Sequence, residues 1–110
     1  MQVHLIHTLT LAILAGLAAS SPPAARPRIV ALGDSLTSGY GIGEDRAFPA
    51  VLQQKLDGAG YRLAVRNAGV SGDTSARGLQ RLQQALDGNV RILIVALGAN
   101  DGLRGMAVDD

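Results

Sequence analysis

Residues 28–36 read RIVALGDSL, and this stretch decides the fold. Ile29 to Leu32 form a continuous apolar run that ends at Gly33, a pattern typical of a strand buried on both faces. Such strands occur in parallel sheets whose faces are covered by helices. The stretch therefore predicts an α/β protein whose fold begins close to Ile29.

Helical and strand patterns alternate after this first strand. Helical spacing of apolar residues predicts a helix over Pro49–Ala59, and Leu63–Val65 is a second short apolar strand. A second helix fits Ser75–Leu86, and the most apolar segment, Val90–Leu97, is the third strand. The apolar positions of the second helix lie on one face: Leu79, Leu82 and Leu86.

This order of elements, with short connections, predicts right-handed crossovers and a parallel sheet. Because the Val90–Leu97 segment is the most apolar, we expect it to be central in the sheet. Sheets of this kind place ligands at the carboxyl ends of their strands. Functional residues should therefore follow Leu32, Val65 and Leu97.

The amino-acid composition limits the classes of molecule that this protein is expected to bind. The chain has 110 residues, enough for one domain, and ten basic against nine acidic residues give a net charge of +1. No basic run favours nucleic acid or an anionic membrane, so the expected partner is a small molecule. Cysteine is absent, which excludes disulfides and thiolate metal sites.

The N-terminal residues are typical of an export signal. Leu9–Ala18 reads LTLAILAGLA, is shorter than a bilayer span and is followed by small residues and two prolines. We therefore expect a cleaved signal peptide over residues 1–21, a linker over 22–28, a domain over 29–110 and a periplasmic or secreted product without a stable membrane anchor. An uncleaved anchor stays open as the alternative, because no Lys or Arg precedes the apolar run.

The first candidate motif is Gly33-Asp34-Ser35-Leu36, directly after the first strand. A serine on a tight turn can present its hydroxyl at the edge of a sheet. An ordinary polar turn, or phosphoryl chemistry on Asp34, are the alternatives. The glycines that follow have the spacing GxGxG rather than GxGxxG, and no Gly-Lys-Ser/Thr is present to bind phosphates.

Two further candidates follow the other strands. Gly72 precedes the second helix, where its N–H could stabilise an oxyanion, and Asp73 or Thr74 could cap that helix. After the third strand comes Gly98-Ala99-Asn100-Asp101, in which the asparagine amide is a neutral hydrogen-bond donor and Gly98 allows close approach. Each motif taken alone is also typical of a simple turn.

Together, these three motifs resemble the conserved blocks of the SGNH, or GDSL-type, hydrolases. The strings SGDTS (Ser71–Ser75) and NDGLRG (Asn100–Gly105) are similar to the bacterial periplasmic thioesterase I, lysophospholipase and arylesterase branch of that family. The resemblance extends from about Arg28 to Met106. It implies a flavodoxin-like three-layer α/β/α sandwich, of which this chain would be the N-terminal βαβαβ portion.

The resemblance also implies roles for individual residues. Ser35 would be the acylated nucleophile, and its own N–H, the Gly72 N–H and the Asn100 amide would form the oxyanion hole. Asp34 and Asp101, with Gly98, would support the loops. The substrate would be a small ester or thioester, and no metal or organic cofactor would be needed. A carbohydrate deacetylase and a non-catalytic, phosphate-binding flavodoxin-like module stay open as alternatives.

The sequence offers no general base that could activate Ser35. Complete family members carry an Asp-x-x-His block near their C-terminus, and this sequence has none. Its two histidines, His4 and His7, lie in the predicted signal peptide. We therefore expect the chain to be a fragment of a longer protein, poorly stable and inactive as it stands.

Overall fold

A computed structural model of the chain describes residues 24–109. The predicted signal peptide and the first two residues of the predicted linker lie outside that range. The three predicted strands are present with shifted bounds, and β1 begins one residue earlier than expected. The elements are β1 (Arg28–Gly33), α1 (Ser35–Ser38), a 3₁₀ turn (Glu44–Arg46), α2 (Phe48–Gly58), β2 (Ala64–Gly69), α3 (Ser75–Gln80), α4 (Leu82–Ala85), β3 (Val90–Ala96) and α5 (Ala99–Leu103).

The strands form one parallel sheet in the order β2-β1-β3, which confirms the predicted α/β fold. Every residue of β1 from Ile29 to Gly33 is buried, so both faces of this strand are covered. Val30 and Leu32 of β1 join Ala68 and Ala85 in the core. Within residues 24–109, no helix combines the length and apolarity needed to cross a membrane.

Among the described residues, the third strand does not occupy the central position expected for it. β3 lies at an edge of the sheet, and its Ile92 and Val95 side chains are 47% and 61% exposed. The apolarity of a strand indicates that its faces are suited to burial, but strand order depends on the direction of each crossover. Here β1 is hydrogen-bonded on both sides and is the central strand.

Strand β2 differs from its prediction by extending well past Val65. Asn67, which lies beyond the predicted end of the strand, pairs with Ala31 inside it. Its side-chain amide donates to the Thr37 carbonyl (2.9 Å), and its side-chain oxygen accepts from the Gly69 N–H (2.9 Å). Because both ends of the side chain are satisfied, a residue type that is depleted in strands is accommodated here.

The predicted helix over Ser75–Leu86 is interrupted at Arg81, whose φ of −107° and ψ of 7° separate α3 from α4. Leu82 packs against the core, whereas Leu79 is 71% exposed, so the two leucines do not share one buried face. The long helix α2, in contrast, agrees with its prediction and has Pro49 in its first turn.

Candidate active site

The strand order creates a topological switch point between β1 and β3. From β1 the chain crosses to β2 on one side, and from β2 it crosses back to β3 on the other. Open parallel sheets bind ligands at such a point, in the crevice outside the carboxyl ends of the strands. Gly33, the last residue of β1, lies in register between Gly69 and Ala96. The segments that follow these residues carry Ser35, Gly72 and Asn100, so the structure brings the three predicted site residues to one edge.

Ser35 is the first residue of the short helix α1 rather than part of an open turn. The buried Asp34 is the N-cap residue, and its carboxylate accepts from the Leu36 N–H (3.0 Å). The Asp34 carbonyl accepts from the N–H groups of Thr37 and Ser38 (3.2 and 3.0 Å). The first N–H groups of a helix have no partner within it, so the N–H of the partly exposed Ser35 is not used by α1 itself.

Helix α1 lies directly against the end of β2. A Cβ atom at Gly69 would overlap the backbone nitrogen of Ser38, so this close approach requires glycine. The Ser38 hydroxyl also lies 3.4 Å from that of Ser71. These contacts fix the helix that begins at Ser35 against the segment that leads to Gly72.

Gly72 lies in a tight turn at the N-terminal side of α3. Its φ of +84° falls in the left-handed region that favours glycine. The Asp73 N–H closes the turn onto the Val70 carbonyl (3.1 Å), and Arg104 donates to the Gly72 carbonyl (3.1 Å). Of the two predicted helix caps, Thr74 is the one observed, because its hydroxyl accepts from the N–H three residues later.

Asn100 is the second residue of α5, which follows β3. The preceding Gly98 has φ +113° and allows the sharp change of direction between strand and helix. One hydrogen of the Asn100 side-chain amide is donated to the Asp73 carbonyl (2.9 Å). Since that amide carries two donor hydrogens, the other remains available to a ligand beside the Gly72 turn.

Asp101 connects α5 to the beginning of α3 through hydrogen bonds to Ser75. Its carboxylate accepts from the Ser75 hydroxyl (2.5 Å) and from the Ser75 N–H (2.9 and 3.1 Å to the two oxygens). These hydrogen bonds lower the pKa of the Asp101 carboxyl below its ordinary value. The hydrogen bond from the Ser75 hydroxyl has the largest effect, and the one from the Ser75 N–H is second. The contact connects the loop that carries Asn100 with the loop that carries Gly72.

A partly buried ion pair near these loops was not predicted from the sequence. Arg81 donates from Nε to Asp73 Oδ2 (2.6 Å) and from Nη2 to the Gly33 carbonyl (2.9 Å). Arg77 lies 3.4 Å from the other oxygen of Asp73. The signal was present as the spacing of an acid and two arginines at i, i+4 and i+8, which places them on one helical face.

A recess of about 360 Å³ opens on the Asn100 side of this edge. Gly98, Asp101 and Ser75 line its polar part, and Met106 and Val108 line its apolar part. In the described part of the chain, His, Asp and Glu side chains nowhere gather in threes as metal ligands would. No histidine occurs in residues 24–109, so a histidine base for Ser35 is absent from this range.

Comparison with known proteins places this geometry in a family context. The model of the GDSL-like Lipase/Acylhydrolase family matches residues 31–110. The chain is 42% identical over 85 residues to Esterase TesA of Pseudomonas aeruginosa, covering 76% of this chain and 42% of that protein. It is 39% identical over 102 residues to an arylesterase of Vibrio mimicus, covering 92% of this chain and 50% of that protein.

A solved structure agrees with these relatives. AlinE4, described as an SGNH-hydrolase family esterase, superposes with a TM-score of 0.69 at 45% identity, over 74% of this chain and 45% of that chain. The described residues therefore have the SGNH-hydrolase fold, of which they form an N-terminal portion. The chain spans about half the length of the curated relatives that it matches.

Proposed function

Because the chain belongs to the GDSL-like lipase/acylhydrolase family, we propose that the full-length gene product hydrolyses carboxylic esters or thioesters through an acyl-Ser35 intermediate. The esterase and arylesterase names of its relatives support ester bonds as the target. The position of Ser35 at the start of α1 supports its role as the nucleophile. The substrate is a small ester or thioester, and its acyl chain length is left open.

The reaction has two steps. In the first, Ser35 Oγ attacks the carbonyl carbon and its proton passes to a general base. The tetrahedral intermediate then collapses, and the leaving alcohol or thiol takes that proton. In the second, water attacks the acyl-serine, releases the carboxylic acid and returns the proton to Ser35.

The oxyanion of each intermediate is stabilised by three donors: the N–H groups of Ser35 and Gly72 and the amide of Asn100. The observation that carries this assignment is the 2.9 Å hydrogen bond from Asn100 Nδ2 to the Asp73 carbonyl. It holds the amide beside the Gly72 turn and leaves its second hydrogen free. Donors held before the reaction need no reorganisation when negative charge develops.

The general base is supplied from outside residues 24–109. These residues include no histidine, and His4 and His7 belong to the proposed signal peptide. The relatives are about twice as long as the matched region. Residues 24–109 thus contain the proposed nucleophile and oxyanion donors without a histidine that could activate Ser35.

Hydrolysis of a p-nitrophenyl ester by the full-length gene product tests this function. Replacing Ser35 by Ala is expected to lower kcat by at least about 10⁴-fold, because the covalent route is lost. Gln54→Ala is the control, since Gln54 is an exposed residue of α2, away from the loops that carry Ser35, Gly72 and Asn100, and should retain activity. Turnover of the Ser35→Ala variant at the wild-type rate would show that another group is the nucleophile.

The same assay on residues 22–110 tests the origin of the base. We expect no turnover above that of its own Ser35→Ala variant. A Ser35-dependent rate close to that of the full-length protein would mean that the described residues suffice, and it would refute an external base.

Export is proposed from the N-terminal pattern of the sequence. The mature protein is expected in the periplasm or the medium, with its N-terminus close to Pro22. Sequencing the N-terminus of the purified mature protein tests this expectation, and recovery of the intact Met1 terminus would contradict it.

A further inference from the structure

We propose that Arg81 is a positioning residue for the reaction: through Asp73 and the Gly33 carbonyl, it fixes the Gly72 turn relative to Ser35. This inference rests on the proposed function, in which Ser35 and the Gly72 N–H act on the same substrate carbonyl. Arg81 itself lies below the site and does not contact the reacting atoms.

The two hydrogen bonds of Arg81 connect separate parts of the fold. Nε reaches the Asp73 carboxylate at 2.6 Å, and Nη2 reaches the Gly33 carbonyl at 2.9 Å. Only 22% of the Arg81 side chain is exposed, so its orientation is constrained by packing. Because the guanidinium is planar and rigid, holding both partners at once fixes their separation.

The Gly33 carbonyl is the anchor on the nucleophile side. It lies two residues before Ser35, and it also accepts from the Val70 N–H at 2.9 Å. Val70 in turn lies two residues before Gly72. A carbonyl oxygen has two lone pairs, so Arg81 and the segment leading to the Gly72 turn together saturate this one acceptor.

Asp73 is the anchor on the oxyanion side. Its side chain is 3% exposed and follows Gly72 directly, while its main-chain carbonyl accepts from Asn100 at 2.9 Å. One residue therefore joins Arg81 to two of the three proposed oxyanion donors. A shift of Asp73 would displace both donors together.

Small displacements at such a site have large kinetic effects. An oxyanion donor is effective at about 2.7–3.1 Å from the oxygen that it stabilises, and a misplacement of about 1 Å can cost about 10²-fold in rate. The interruption between α3 and α4 occurs at Arg81 itself, where the side chain reaches back to Asp73 and β1. The local departure from helix thus coincides with the contact that links the two anchors.

Arg81→Lys in the full-length gene product tests this role. Lysine keeps the positive charge beside Asp73, but its single ammonium cannot reproduce the rigid fork that bridges Asp73 and Gly33. We expect kcat for a p-nitrophenyl ester to fall by about 10- to 100-fold and KM to change by less than about threefold. Rates are taken well below the melting temperature of the variant and normalised to the fraction labelled at completion by a fluorophosphonate.

Arg77→Lys is the matched control. Arg77 contacts the same carboxylate at 3.4 Å, but its side chain is 67% exposed and it has no hydrogen bond to Gly33. We expect kcat of this variant to remain within about threefold of wild type. An equal loss in both variants would overturn the role of Arg81, since charge near Asp73 would then be sufficient to explain the effect.

A double-mutant cycle with Asn100→Ala separates positioning from general structural support. If Arg81 acts through the oxyanion donors, the double variant loses less rate than the product of the two single losses, because part of what Arg81 positions is already absent. Losses that multiply would overturn the proposal.

Asp73→Asn keeps the test decisive if Arg81→Lys does not fold. This change preserves the size of the side chain and removes the charge that holds Arg81, and we expect the same selective fall in kcat. An unchanged kcat would refute the inference. Absence of Ser35-dependent labelling in the wild type would instead refute the proposed function, so the two failures are distinguishable.

Discussion

At the scale of single residues, the side chain of Asn100 divides its hydrogen-bonding capacity between structure and proposed chemistry. One amide hydrogen is donated to the Asp73 carbonyl. The other is the one assigned to the oxyanion in the proposed mechanism. Because an amide does not titrate, this donor would act equally across the pH range of the proposed reaction.

Asn100→Ala in the full-length protein should lower kcat by about 10²–10³-fold, the usual cost of losing one oxyanion donor. Fluorophosphonate labelling of Ser35 should persist at a reduced rate, because the nucleophile is untouched. Asn89→Ala, at an exposed asparagine in the turn before β3, is the matched control and should keep the wild-type kcat. An unchanged kcat in Asn100→Ala would remove this residue from the oxyanion hole.

The sequence was sufficient to predict the candidate residues with distinctive chemistry, but not the residues that support them. Ser35, Gly72 and Asn100 stand out because each follows an apolar strand in a turn-rich segment. Arg81 was hidden because one of its partners, Gly33, lies 48 residues earlier in the chain. A contact over that separation depends on the completed sheet, which local patterns do not describe.

At the scale of elements, the free edge of β2 is partly covered by a side chain of α2. Gln53 donates from Nε2 to the Leu63 carbonyl (3.0 Å), and its Oε1 accepts from the Val65 N–H (2.6 Å). These are the groups that a neighbouring strand would otherwise pair with. The amide of Gln53 thus imitates one residue of an additional strand and satisfies the edge groups at the beginning of β2.

Gln53→Ala should lower the free energy of unfolding of the full-length protein by about 1–3 kcal/mol, because it leaves partly buried backbone groups unpaired. Urea denaturation followed by circular dichroism measures the difference. Gln54→Ala changes the next, exposed glutamine of α2 and should alter stability by less than about 0.5 kcal/mol. Equal effects of the two substitutions would show that the contact with β2 contributes nothing.

The existence of the elements was easier to predict than their ends. Helix α2 and strand β1 agree closely with their patterns, since the apolar residues of each are periodic or continuous. Strand β2 extended into Asn67 because that side chain is satisfied at both ends by tertiary partners. Such differences between the predicted and observed ends of elements arise from hydrogen bonds that form only in the folded state.

At the scale of the whole molecule, the strand order explains why the segments that carry Ser35, Gly72 and Asn100 meet at one edge of the sheet. The reversal of crossover direction at β1 separates the connections that follow β1 and β3, and it opens the crevice at their carboxyl ends. The sequence predicted this edge as the functional one. The expected central position of β3 is not observed among residues 24–109, where β1 is paired on both sides, because crossover direction leaves no trace in local hydrophobicity.

The link between Asp101 and Ser75 should make stability depend on pH in the acidic range. The pKa of Asp101 is lowered in the folded protein from an ordinary value of 3.8, so its stabilising contribution is present above that value and is lost as pH falls through the lower folded pKa. At pH 7, Asp101→Asn should therefore melt at a lower temperature than wild type. The difference should narrow below about pH 3.8, and a difference that stays constant into strong acid would contradict this role.

The central claim is that Ser35 is the nucleophile, and site-resolved labelling tests it most directly. The full-length gene product is treated with a fluorophosphonate, digested and examined by mass spectrometry for the modified residue. We predict a single phosphonylated site at Ser35 and no labelling in the Ser35→Ala variant. Modification at a different residue, or labelling that persists in Ser35→Ala, would contradict the account.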